Sequence, residues 1–159
     1  MGASPREPFT FSHRLRVRWA EVDPQGIVFN ANYFTYFDVA VTEYWRATGV
    51  RYPEDFTRTG TDSFAVSASA EFRAPARFDD EIDVSCRTSR VGRTSLTLAL
   101  EIHRGDELLT RGQLVYVNAD VALRRPVPWD PRLVAALEAF ERHAPERGAA
   151  RRGEPTVDA

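Results

Sequence analysis

The chain has 159 residues, a formal net charge of −2 from 21 basic and 23 acidic side chains, and 43% hydrophobic residues. This is the size of one domain, able to bury a core without disulfides, and its only cysteine, Cys86, could form none within the chain. The charge balance offers no basic face to nucleic acid, no apolar run is long enough to cross a bilayer, and residues 1–8 lack the apolar stretch of a secretion signal, so a cytoplasmic protein is expected.

Residues 1–10 carry prolines and no periodicity, which predicts a loose tail ahead of a domain spanning residues 11–144. Phe11, His13, Leu15, Val17 and Trp19 alternate with Ser12, Arg14, Arg16 and Arg18, the pattern of a half-buried strand. Asp23, Pro24 and Gly26 then supply turn chemistry, and Asn30 or Asn32 is placed to cap a helix. Residues 32–48 form that helix. Tyr33, Phe37, Ala40 and Tyr44 share one face, Phe34, Val41 and Trp45 another, so burial on most sides is expected, and Gly49 ends it.

Four more strands follow, carried by the alternating runs Phe64–Ala74, Ile82–Cys86 and Leu96–Ile102 and by the more uniformly apolar Leu108–Asn118. Arg104-Gly105-Asp106 reads as a hairpin turn. Residues 130–142 form a short amphipathic helix through Leu133, Leu137 and Phe140, and residues 145–159 have the composition of a disordered tail. The order is strand, buried helix, four strands. One antiparallel sheet of about five strands buries such a helix only by curling around it, an α+β arrangement in which Ala68, Ala70 and Ala74 leave room for the bulky helix. The free edge of that sheet needs covering, which favours a homodimer or homotetramer.

Three segments carry a resemblance. The run Trp19-Ala-Glu-Val-Asp23-Pro-Gln-Gly26-Ile-Val-Phe-Asn30-Ala-Asn32-Tyr33-Phe34 resembles the signature of hot-dog-fold thioesterases of the 4-hydroxybenzoyl-CoA thioesterase-like branch. Phe72-Arg-Ala-Pro75-Ala-Arg-Phe-Asp79-Asp80-Glu81-Ile82 and Val91-Gly92-Arg93-Thr94-Ser95-Leu96 are similar to the same branch. The resemblance covers roughly residues 11–142 and implies a hot-dog fold and hydrolysis of an acyl-CoA thioester. It implies that Asp23 is the catalytic carboxylate and that the backbone amide at Asn30, where many relatives carry His, polarises the thioester carbonyl. Basic residues near the third segment, Arg90 and Arg93, would then hold the phosphates of coenzyme A.

The residues themselves fit this chemistry. Thioester hydrolysis needs a carboxylate that attacks the carbonyl or activates water, and a donor for the developing oxyanion. The Asp23–Asn32 segment can supply both, with Gly26 allowing a tight turn and the helix start offering unpaired N–H groups. The competing reading of Asp23 is a turn residue before Pro24. Tyr33, Phe29, Phe34 and Tyr36 either line an aryl pocket or belong to the core. Glu21 reads as a solvated or pairing strand-end residue, and Glu43 as a helix residue paired with Arg46. His13, His103 and His143 have no metal-ligand spacing, so no metal or cofactor is expected, and Cys86 reads as a small buried hydrophobe. Two other functions share these features: a non-catalytic acyl-CoA-binding module and an acyl-carrier-protein thioesterase. The acyl group, aryl or of short to medium chain, is not readable from the sequence.

Overall fold

The computed structural model describes residues 6–148. Strand β1 (Phe11–Arg16) leads through a 3-10 turn (Trp19–Glu21) to helix α1 (Asn32–Thr48) and a short helix α2 (Glu54–Thr57). Strands β2 (Thr61–Phe72), β3 (Glu81–Val91), β4 (Ser95–Arg104) and β5 (Glu107–Asp120) follow, then β6 (Arg125–Pro126), helix α3 (Pro131–Phe140) and β7 (Glu146–Arg147). The five long strands make one antiparallel sheet in the order β1-β3-β4-β5-β2, with the two short strands attached to β5 and β3. The sheet curls around α1, which is the expected α+β hot-dog arrangement.

Register explains the curl. Phe11, Cys86, Leu100, Gly112 and Ala70 lie in one row across the sheet and face α1. The next row, Ser12, Ser85, Glu101, Arg111 and Glu71, faces away, and Arg111 there pairs with Glu101 at 2.9 Å. Alternation thus puts one apolar face inward along every strand. Against it α1 buries Tyr33, Phe37, Ala40 and Tyr44 together with Tyr36, Val41 and Trp45. Phe34 departs from the expected burial: it stays 37% exposed, with its ring edge-on to Phe37. Gly49 ends the helix in the left-handed conformation, with its N–H bonded back to Arg46 and Trp45 carbonyls.

Four expectations need correction. Neither Asn30 nor Asn32 caps α1. Its N-cap is Ala31, without a side-chain bond, and the Asn32 amide turns back to the Glu21 carbonyl at 2.9 Å. In the segment read as an N-terminal tail, Phe9 is buried. In the segment read as a disordered C-terminal tail, Glu146 and Arg147 add a parallel strand beside Arg90 and Val91. Residues 1–5 and 149–159 lie outside the described residues. Finally, the room for α1 comes less from the alanines than expected: Ala70 and Ala74 pack against the core, but Ala68 is exposed.

Helix and sheet approach closely at Gly112. A Cβ there would stand 2.3 Å from Phe37 Cζ and 3.2 Å from the Ser69 carbonyl oxygen. Phe37 is fully buried, so its ring has nowhere to go. Gly112→Ala should therefore destabilise the protein by about 1–3 kcal/mol, the usual cost of overpacking a core. Adding Phe37→Leu should recover part of the loss. Chemical denaturation of the single and double variants checks both, and a neutral Gly112→Ala would mean that α1 does not seat on β5 as described.

Candidate active site

The segment between β1 and α1 is a small hairpin. Val22 and Val28 form an antiparallel bridge, the Asp23 N–H bonds to the Ile27 carbonyl at 2.9 Å, and the Gly26 N–H bonds to the Asp23 carbonyl at 2.9 Å. Gly26 closes the turn at φ 75°, a conformation that costs an L-side chain about 1–2 kcal/mol. The Asp23 carboxylate does what a turn Asp does with one oxygen: Oδ1 accepts the Gln25 N–H at 2.8 Å. Its other oxygen makes no hydrogen bond among the described residues, and the side chain is half-buried.

The hairpin is tied down on both sides. Val28 N–H bonds to the Ala76 carbonyl at 2.9 Å, which fixes it against the segment after β2, and Phe29 N–H bonds to the Glu21 carbonyl at 2.9 Å. Between these ties lies a cleft of about 440 Å³ lined by Asp23, Phe29, Asn30, Tyr33, Phe72 and Pro75. Gly26 shapes the turn without lining the cleft, whereas Gln25, Phe72 and Pro75 line it and were not singled out from the sequence as site residues. All three lie in segments that carry the resemblance; Gln25 belongs to the hairpin itself, and Phe72 and Pro75 at the end of β2 reach it only through the fold.

The start of α1 ends in this cleft. The N–H groups of Asn32, Tyr33 and Phe34 are already bonded to the carbonyls of Phe29, Asn30 and Ala31, at 2.9, 3.3 and 3.2 Å. Among the described residues, no hydrogen bond joins the N–H of Asn30 or of Ala31. Those two are the donors left over at a helix terminus, where partial positive charge collects. Tyr33 offers its ring to the cleft, stacked edgewise on Phe72 at 5.1 Å, while its hydroxyl accepts the Ala76 N–H at 2.9 Å. Burial pushes the Tyr33 hydroxyl above its ordinary value, so it stays neutral and structural.

One residue in this region was misjudged in part from the sequence. Glu21 pairs, as one of its two readings allowed, but it is 5% exposed rather than solvated. Its carboxylate accepts the Arg18 N–H at 2.8 Å, the Arg18 Nε at 2.7 Å and the Tyr36 hydroxyl at 2.7 Å. Burial works to raise its carboxyl, but these bonds together outweigh it and hold the carboxyl below the usual carboxylate range.

The remaining candidates fall elsewhere. Arg90 and Arg93 are at the far end of β3 from the hairpin. The hairpin is held near Ala76 and the start of β3, and the eleven residues of that strand, about 35 Å, separate that end from Arg93. Within one chain, therefore, neither arginine shares a site with Asp23. Arg93 is exposed, and the Arg90 guanidinium lies against Gly148. Glu43 pairs with Arg46 on the surface of α1, as expected. Cys86 is fully buried, its thiol pushed up by that burial. Among the described residues no cluster of His, Cys, Asp or Glu could hold a metal ion, and no helix is long and apolar enough to cross a membrane.

A second and larger cavity, about 690 Å³, opens on the opposite half of α1. It lies between that helix, α2 and the first residues of β2, with Asp38, Trp45, Phe56, Ser63 and Tyr116 in its walls.

Comparison with known proteins converges on one family. The model of the thioesterase superfamily matches residues 25–111. A candidate esterase of Aquifex aeolicus is 31% identical over 96 residues, covering 60% of this chain and 74% of that protein. The acyl-CoA thioesterase YbgC of Haemophilus influenzae is 24% identical over 128 residues, covering 80% of this chain and 93% of that protein. Among solved structures, a thioesterase from Thermus thermophilus, complexed with coenzyme A and Zn, superposes with a TM-score of 0.73 at 25% identity, over 86% of this chain and 97% of its own.

Proposed function

The chain belongs to the thioesterase superfamily, and from that membership we propose that it hydrolyses acyl-CoA thioesters with Asp23 as the catalytic carboxylate and the backbone amide of Asn30 as oxyanion donor. One observation carries the reading: a carboxylate with an unengaged oxygen and a helix start with unengaged N–H groups border the same cleft. The thioester carbonyl sits at the start of α1, with its oxygen toward the Asn30 and Ala31 amides. These donors are fixed before the reaction begins and strengthen as charge develops on the oxygen. Asp23 takes the proton of the water that attacks the carbonyl carbon, or attacks that carbon itself to form an acyl-aspartyl anhydride that water then hydrolyses; in both, the C–S bond breaks and the coenzyme A thiolate departs. No serine or histidine is required.

The working unit we infer is a homodimer. β2 is an edge strand of twelve residues whose outer side pairs with nothing among the described residues. A long uncovered edge invites a second copy. Pairing two β2 strands antiparallel about a two-fold axis would set the Phe72 end of one against the Thr61 end of the other. The Asp23 cleft borders the Phe72 end and the larger cavity borders Ser63, so the cleft of one subunit would open onto the cavity of its partner. That cavity would take the acyl group, aryl or of short to medium chain.

The same axis would resolve the distance between Asp23 and the arginines. The β3–β4 turn lies at the Thr61 end of the sheet, since Ser95 is in register with Val117 and Val117 with Phe64. Arg93 of the partner subunit would then stand about three strand spacings, roughly 15 Å, from its β2 on the side of this chain's Asp23. From there it would meet the phosphates at the end of the pantetheine arm. Arginine matches phosphate geometry, and Arg90 would assist.

Two outcomes are expected. Asp23→Asn preserves the turn and should lower the kcat for acyl-CoA hydrolysis by about 10²–10⁴-fold, with little change in unfolding temperature. Thiol release from a panel of acyl-CoAs measures this, and near-native turnover would remove Asp23 from the mechanism. Arg93→Ala should raise the KM for acyl-CoA more than it lowers kcat, and leave a thioester without the nucleotide unaffected. Because the arginine would act across the interface, mixing inactive Asp23→Asn with Arg93→Ala should restore a low-KM site in the mixed dimers. No recovery, or a purely monomeric chain in sedimentation, would refute the two-chain site.

A further inference from the structure

We propose that Glu21 is a positioning residue that sets the separation between the Asp23 carboxylate and the Asn30 amide, an assignment that rests on the catalytic reading above. The argument is one of connectivity. Glu21 stands two residues before Asp23, and its own carbonyl accepts the Phe29 N–H at 2.9 Å, one residue before Asn30. The two proposed reacting groups therefore leave the same hydrogen-bonded pair in opposite directions along the chain. The same carbonyl oxygen accepts the Asn32 side-chain amide at 2.9 Å, which fixes the first turn of α1 to that pair.

The carboxylate then fixes the pair to the body of the protein. Tyr36, one turn further along α1, donates its hydroxyl to Oε2 at 2.7 Å. On the other side Arg18 donates its backbone N–H to Oε2 at 2.8 Å and its Nε to Oε1 at 2.7 Å. Glu21, 5% exposed, thus accepts five hydrogen bonds, from Arg18 just after β1, from the hairpin and from two turns of α1. An apolar side chain could fill this volume. It could not dictate direction, and direction is what a carboxylate and an oxyanion donor on opposite arms of one hairpin require. Misplacing reacting groups by an ångström costs orders of magnitude in rate.

Glu21→Gln tests this sharply, because every acceptor position of the carboxylate faces a donor. The new NH₂ group meets either the Arg18 Nε or the Arg18 N–H and Tyr36 hydroxyl, so part of the set must open. The expected result is a kcat about 10–100-fold lower, with KM within about threefold of wild type, because substrate still binds and only the geometry of the reacting pair is lost. Amide hydrogen exchange should accelerate by about tenfold or more across residues 22–32 and nowhere else, since the opening is local. Tyr36→Phe, which removes a single donor, should show the same two changes more weakly, and it serves if Glu21→Gln fails to fold. Wild-type exchange over residues 22–32 overturns the proposal, as does a kcat within about twofold of wild type. A loss of activity that only tracks global unfolding also overturns it. Full turnover by Asp23→Asn overturns the catalytic reading instead. Unchanged turnover and exchange in Glu21→Gln, with Asp23→Asn inactive, overturns this proposal alone.

Discussion

Everything in this fold depends on covering α1. A 17-residue helix with Tyr33, Tyr36, Phe37, Tyr44 and Trp45 on its surface cannot be left in water, and a flat sheet would reach only one side of it. The sheet curls, and at one close contact it gives up a side chain altogether: Gly112 lets the Phe37 ring rest on the backbone of β5. The aromatic side chains of α1 then interlock with the rest of the core in edge-to-face pairs, Tyr44 with Phe11 and Phe140, and Trp45 with Phe56. A helix gripped in this way cannot slide or rotate, and this rigidity is inherited by whatever sits at its ends.

The N-terminus of α1 is the end that matters. It is set at the mouth of the curl, where the segment after β2 and the Asp23 hairpin meet, and it is not capped by a side chain. A capping Asn, Ser or Asp at position 31 would accept the Tyr33 or Phe34 N–H and stabilise the helix by about 1 kcal/mol. Ala31 at that position does not. The Asn30 and Ala31 N–H groups stay unengaged among the described residues, while at the other end of the helix Gly49 donates back to the Arg46 and Trp45 carbonyls.

The sequence shows most of this fold because its strands are half-buried and its helix is amphipathic in an extreme way. The alternations at Phe11–Leu15, Ile82–Cys86 and Leu96–Ile102 locate three strands, and residues 32–48 are those of the helix. What is not legible depends on partners distant in the chain. Gly112 carries no mark of the ring above it. The four residues of α2 are too few for a period to show, and Glu146–Arg147 becomes a strand only because the edge of β3 is there to receive it. At the site, the Asp23–Asn32 segment is readable because turn, carboxylate and helix start are contiguous. Phe72 and Pro75 are brought to it by topology, and Arg90 and Arg93 are carried away from it by the length of β3. The burial of Glu21 is hidden for the same reason: a carboxylate between Arg18 and Asp23 looks solvated until the Tyr36 hydroxyl is seen above it.

Two buried carboxylates show how donor count, rather than burial, decides charge in this protein. Glu21 and Glu141 are 5% and 7% exposed, and for both burial is the largest influence and works to raise the carboxyl. At Glu21 both oxygens accept, one of the donors is a guanidinium, and the carboxyl ends below the usual range. At Glu141 a single oxygen takes both the Tyr44 hydroxyl and the Thr88 N–H, while Oε2 is buried without a partner among the described residues. Its carboxyl ends above the usual range. The signs of their linkage to pH are therefore opposite. The lowered carboxyl of Glu21 contributes stability above its unfolded value and loses it as pH falls through its folded value. The raised carboxyl of Glu141 contributes stability below its unfolded value and loses it as pH rises through its folded value. The full donor set is found beside the Asp23 hairpin, and the incomplete one against the end of α3.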